Sequence, residues 1–159
     1  MPRRSPRLPL LLAEFDDEER EAVLAANRAF YRAFNDRDHD AMDLLWAPTG
    51  AMVCLHPGQA PLLDRAAIMA SWRAIMRHPE SPRVRCTDEW IVGRSGLALV
   101  VCREILANGQ LMATNSFVRL NDRWHILGHH SAPVPAVEER RQATAASAAP
   151  PLRDRRKLH

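Results

Sequence analysis

Two short turns constrain this chain more than anything else in it. Asn108–Gly109 and Asn121–Asp122 each separate runs of alternating apolar and polar residues. Such dipeptides between alternating runs mark two-residue hairpins, because their backbones accept the positive φ a tight turn demands. The runs are 97–107, 110–120 and 123–131, and an earlier run, 83–92, ends at Gly93–Gly96. Three adjacent antiparallel strands, with a fourth before them, follow from the turns alone.

The upstream half has the other period. Val23, Phe30 and Phe34, flanked by Ala22, Ala26, Ala29 and Ala33, form one apolar stripe at helical spacing. Asp16 can cap that helix, with Glu19 reaching back as a capping-box partner. Asn35–Arg37 breaks the stripe. Asp38 then caps a short helix carrying Met42, Leu45 and Trp46, which stops before Pro48. Residues 51–56 read as a strand ended by Pro57–Gly58. Asp64 caps a third helix with Ile68, Met69, Trp72, Ile75 and Met76 on one face. The order α-α-β-α-β-β-β-β collects helices at one end of an antiparallel sheet, an α+β fold. With the long first helix in the mouth of a strongly curved sheet, it encloses a pocket.

Charge has to be divided before it means anything. The whole chain has 22 basic and 19 acidic groups, net +3, and a sequence pI near 9.1. Residues 1–13 carry three arginines and no acid, and residues 138–159 carry six basic against three acidic groups. The middle, 14–137, carries thirteen basic against sixteen acidic, net −3. The basic excess therefore belongs to the ends. Residues 1–15 are expected to be a disordered basic arm, with a targeting role as the alternative, and 135–159 a flexible Ala-, Pro- and Arg-rich tail. The domain proper is 16–134. Without a basic stripe in it, nucleic acid is not an expected partner. Without a run near 20 apolar residues, neither is a membrane. Cys54, Cys86 and Cys102 form no CxxC pair and read as reduced thiols in a cytoplasmic protein.

The turns also predict which side chains meet. A turn at Asn108–Gly109 places Glu104 opposite Ala113 and Cys102 opposite Asn115. A turn at Asn121–Asp122 places Asn115 opposite Gly128 and Ala113 opposite His130. Because side chains alternate, Cys102, Glu104, Asn115, Phe117, Trp124, Ile126 and His130 then share one face, while Arg103, Thr114, His125 and His129 share the other. A bulge would exchange some of these. Glu104, Asn115 and His130 on an apolar face are costly to bury unless they bond one another or a ligand. They form either a polar floor with Glu104 as acid/base and His130 as proton shuttle, or a self-satisfied structural network. His56 stands at a strand end, where a mouth would be. Trp46, Trp72 and Trp90 are expected in the core or the cavity wall. No metal site is expected, since adjacent histidines on a strand point to opposite faces. Ser131 and Ser71 lack the setting of a nucleophile.

Three stretches together resemble a known family. They are 26–35 with Asp38; 53–58 followed by 68–72; and 113–117 with Trp124 and 129–133. Over residues 17–134 they are similar to a SnoaL-like domain of the nuclear transport factor 2-like superfamily, relatives of ketosteroid isomerase, scytalone dehydratase and polyketide cyclases. The resemblance implies a cone-shaped α+β roll, cystatin-like, in which three helices close a strongly bent antiparallel sheet over a pocket. It implies a homodimer through the outer sheet face, and no metal or organic cofactor. His56, Trp72, Glu104, Asn115 and His130 are the positions that match the subfamily's pattern. Tyr31, Trp46 and Phe117 join them as expected lining residues. The function implied is binding of a small hydrophobic ligand, with isomerase, dehydratase or cyclase chemistry by proton transfer. The alternative is a non-catalytic dimerisation or protein-interaction module.

Overall fold

The computed structural model describes residues 15–134; the expected arm and tail lie outside them, apart from Phe15. Three helices, α1 (Asp17–Asp36), α2 (His39–Leu45) and α3 (Arg65–Arg77), accompany five strands. The strands are β1 (Val53–Leu55), β2 (Arg85–Arg94), β3 (Leu97–Leu106), β4 (Gly109–Leu120) and β5 (Arg123–Pro133). The sheet order is β1-β5-β4-β3-β2. The expected α+β class is what the chain adopts, with one refinement. The antiparallel part is β2 to β5, and β1 joins β5 in parallel, so the sheet is mixed.

Each helix begins where a short acid can accept its first free N–H groups. Asp16, Asp38 and Asp64 accept from the amides of Glu19, Ala41 and Ala67. The capping box does not form: the Glu19 carboxylate instead accepts from Arg119 at 3.2 Å, tying the start of α1 to β4. The far end of α1 closes on Arg37 in the left-handed conformation, φ 57°. Its guanidinium donates to the carbonyls of Met76 and His78 at the end of α3. The core lies between helices and sheet: Val23, Phe30 and Phe34 of α1, Ile68, Trp72 and Met76 of α3, and Val100, Ala113, Phe117 and Ile126 of the sheet.

The two turns behave differently. Asn121 and Asp122 have φ of 48° and 60°, and Leu120 pairs with Arg123 as expected. The other turn falls one residue earlier: Ala107–Asn108 make it, and Leu106 pairs with Gly109. Glu104 therefore stands opposite Leu111, and Cys102 opposite Ala113. That slip is a whole pleat, two residues, so each side chain keeps its face.

Two one-residue bulges do change faces. In β5, Phe117 pairs with Ile126 but Ser116 pairs with Gly128, so Leu127 is extra. Beyond it Asn115 stands opposite His129, not Gly128, and Ala113 opposite Ser131, not His130. The expectation for the histidine pair is thus reversed: His129 is buried and His130 is exposed. In β2, Thr87 pairs with Arg103 but Trp90 with Val101, and Asp88 in the irregular step has φ 52°. This bulge turns Glu89 inward and Trp90 outward. Trp90, expected in the core or cavity wall, is 52% exposed.

Candidate functional site

Helix α1 aims four side chains at the sheet. Asn27, Phe30, Tyr31 and Phe34 are spaced three, four and seven apart, so they form one face, and all four are buried. From α3 come Trp72 and Ile75; from the end of β1, His56; from β3, Glu104; from β4, Leu111; from β5, His129 and Ser131. Apart from Asn27, these groups line a cavity of about 240 Å3, mostly apolar in its walls.

The polar groups converge at its floor. Glu104 is 5% exposed. Its Oε1 accepts from the Tyr31 hydroxyl at 2.9 Å and its Oε2 from the Ser131 hydroxyl at 2.5 Å. Burial raises its pKa above the usual carboxylate range, and the two hydroxyls offset part of that rise. Tyr31 is held as a neutral phenol, its pKa raised by burial and then by the Glu104 charge. Next to this trio runs a second one. Asn115 Nδ2 donates to Asn27 Oδ1 at 2.7 Å and to the Tyr31 oxygen at 3.2 Å. Its Oδ1 lies 2.7 Å from Nδ1 of His129. Burial first, then the nearby His56 and His130, lower the His129 pKa to about 3, so it is neutral near pH 7.

His56 stands across the cavity, its ring edge-on to Trp72 with centroids 4.8 Å apart. Its Nε2 is 2.5 Å from the Ser71 hydroxyl, and burial lowers its pKa. The Trp72 indole N–H is buried without a protein partner. Among the described residues no group of acids, histidines and cysteines could hold a metal ion. The three cysteines are free thiols; burial pushes Cys54 up to about 12, which leaves it protonated and unreactive.

Of the expected site residues, His56, Trp72, Tyr31 and Glu104 are brought to the cavity. His130 is not, for the reason of the β5 bulge, and His129 takes its place. Asn115 lies one layer behind, its amide committed to Tyr31, Asn27 and His129. Trp46 and Phe117 do not line the cavity. Trp46 is buried at a bridge to Ile126, where α2 ends, and Phe117 is 1% exposed within the core. Asn27 and Ser131 carry site contacts that the strand pattern did not single out. Asn27 was legible only as a polar residue on an apolar helix stripe.

Helices on one face of a sheet, enclosing an apolar cavity with a carboxyl on its floor, define a pocket-bearing α+β domain. The chain belongs to the SnoaL-like domain family, whose model matches residues 23–136. It is 30% identical to a candidate dehydratase of the NTF2-like family from Streptomyces avermitilis, covering 77% of this chain and all of that one, with a TM-score of 0.70. It is equally 30% identical to a candidate calcium/calmodulin-dependent protein kinase type II association domain from Thiobacillus denitrificans. That match covers 70% of this chain and 94% of the other, at a TM-score of 0.65. Among curated proteins it is 23% identical over 120 residues to the F-box protein SKIP8 of Arabidopsis thaliana, covering 70% of this chain. The chain spans about half the length, 49%, of that relative.

Proposed function

We propose that this SnoaL-like domain binds a small hydrophobic carbonyl compound and moves a proton on it, with Glu104 as the acid/base. The observation that carries the reading is a buried carboxyl of raised pKa on the floor of an apolar cavity. A carboxylate held there is a stronger base than one in water, and it can return the proton to a second carbon or oxygen of the same ligand. Tyr31 and Ser131 hold its two oxygens in place. In place of His130, His129 meets the ligand with a neutral ring, and His56 lines the mouth. The reaction class is isomerisation, dehydration or cyclisation, and the dehydratase described among the relatives supports it.

The test is exchange of the α C–H protons of 2-tetralone, a hydrophobic ketone, in deuterated buffer, followed by NMR. The protein should accelerate exchange, and Glu104→Gln should remove roughly 100-fold or more of the acceleration. Exchange no faster than buffer, or unchanged in the variant, overturns the reading.

A second reading rests on a different observation. The outer sheet face exposes Trp90, Val92, Leu97 and Leu99 at 45–66%, which fits a homodimerisation or protein-interaction module. It is the role that the association domain among the relatives carries in its description. The two readings are compatible in one molecule. A cytoplasmic location fits the three free thiols.

A further inference from the structure

One hydrogen-bond chain behind the cavity has a fixed polarity, set at its charged end. Arg28 Nε donates to Glu89 Oε2 at 3.1 Å, and the two form an ion pair. A carboxylate only accepts, so the Asn27 group 2.9 Å from Glu89 Oε1 is the amide nitrogen. Asn27 must then turn its oxygen to Asn115, which answers with its own nitrogen at 2.7 Å. Asn115 is left with an oxygen facing His129 Nδ1, and an oxygen there can only accept. The proton of His129 therefore sits on Nδ1. A second anchor agrees. The Tyr31 hydroxyl donates to Glu104, so its oxygen accepts from Asn115, which requires the same amide orientation.

A neutral imidazole has one ring proton. With that proton on Nδ1, the remaining nitrogen, Nε2, carries a bare lone pair. It has no partner among the described residues, and the ring lines the cavity. Phe30 and Trp72 pack against the ring at 5.2 and 5.3 Å between centroids and hold its plane. Both ends of the chain depend on bulges: the β2 bulge turns Glu89 in, and the β5 bulge turns His129 in.

We propose that Glu89, Asn27 and Asn115 are positioning residues that fix His129 as the Nδ1–H tautomer. The cavity thereby meets its ligand with an acceptor at Nε2, and it selects a hydrophobic compound carrying a hydroxyl or enol hydrogen. This deepens the small-molecule reading and rests on the cavity being a ligand site. A ligand with only an acceptor at that position faces two lone pairs and leaves Nε2 unpaired, whereas a hydroxyl satisfies it.

The tautomer can be read directly, since protonated and bare ring nitrogens have well-separated 15N shifts. In the 15N-labelled full chain at pH 7, with His129 assigned by loss of its signals in His129→Gln, Nδ1 should be protonated and Nε2 bare. A proton on Nε2 overturns the proposal. Asn115→Leu removes the acceptor, so the proton should move to Nε2. Asn115→Asp keeps an oxygen there and should keep the proton on Nδ1. A merely structural Asn115 predicts no such split, and a spectrum unchanged in Asn115→Leu overturns its role. Should Asn115→Leu fail to fold, the unaltered protein and Asn115→Asp still decide the tautomer. Phenol and anisole then probe selection, since they differ in the one hydrogen. Phenol should shift the Nε2 signal and bind about fivefold more tightly, the span of one net hydrogen bond. Equal affinities, or no binding of phenol, overturn the hydroxyl selection. Neither spectrum depends on turnover, so a failure of α-proton exchange leaves this result standing, and the reverse.

Discussion

Glu104 and His129 both resist charge for the same reason, and they respond to pH in opposite directions. For Glu104 the native pKa is raised by burial, so the native state holds its proton longer than the unfolded chain does. Its stabilising contribution is complete below about 4.5, the ordinary carboxyl value, and is lost as pH rises through the native pKa. Glu104→Gln should therefore gain stability relative to the unaltered protein as pH rises above 4.5, measured by urea unfolding; parallel curves would contradict it. For His129 the native pKa of about 3 lies below the ordinary 6.5. The unfolded chain takes the proton first, so stability is present above 6.5 and lost as pH falls toward 3. His129→Gln should flatten that acid slope by about 1.4 kcal/mol per pH unit, the value of one proton. A slope as steep as before would place the acid sensitivity elsewhere, with His56 the next residue to test.

Elements repeat the lesson that local signals were readable and non-local ones were not. The three caps, the end of α1 at Arg37 and the turn at Asn121–Asp122 all follow from residues within a few positions of each other. Replacing Asp64 with Ala should therefore cost about 1 kcal/mol in denaturant unfolding, the usual value of a lost N-cap. No loss would mean that α3 begins without needing it. Glu104 and Trp72 were legible because their faces depend on a slip of a whole pleat or on helical spacing, whereas Tyr31 and His56 were reached through the family resemblance. The exchange of His130 for His129 was not. It depends on Leu127 being extra in β5, at the place where β1 lies alongside in parallel and Val53 reaches to within 3.2 Å of where a Cβ on Gly128 would stand. A neighbour more than seventy residues away leaves no mark on the local alternation. Trp90 went astray in the same way, through the irregular step at Asp88.

At the scale of the whole molecule, the sheet has one face committed to helices and another left apolar. Val92 and Leu97 are 66% and 57% exposed on it, and Leu99 lies between Leu97 and Val101 on the same strand. Fully burying side chains of this size is worth about 1.5–3 kcal/mol each, enough to drive association if a second copy covers them. Analytical ultracentrifugation of the full chain should give twice the 18.0 kDa of one copy. The double change Val92→Arg and Leu99→Arg should return it to one. A monomer before the change would dismiss the homodimer. The bulge in β5 has a consequence for anyone aligning this chain with its relatives. A single inserted residue acts as a phase shift in the strand, so sequence columns and spatial positions part company beyond Leu127. A relative with a straight β5 would offer the cavity the imidazole of its second histidine from an identical His-His pair. That holds where the relative keeps the same number of residues in the strand; removing Leu127 from this chain would instead straighten β5 and leave His129 opposite Asn115, as it is now. Matching histidines by column can therefore pair a ring in the cavity with one in solvent.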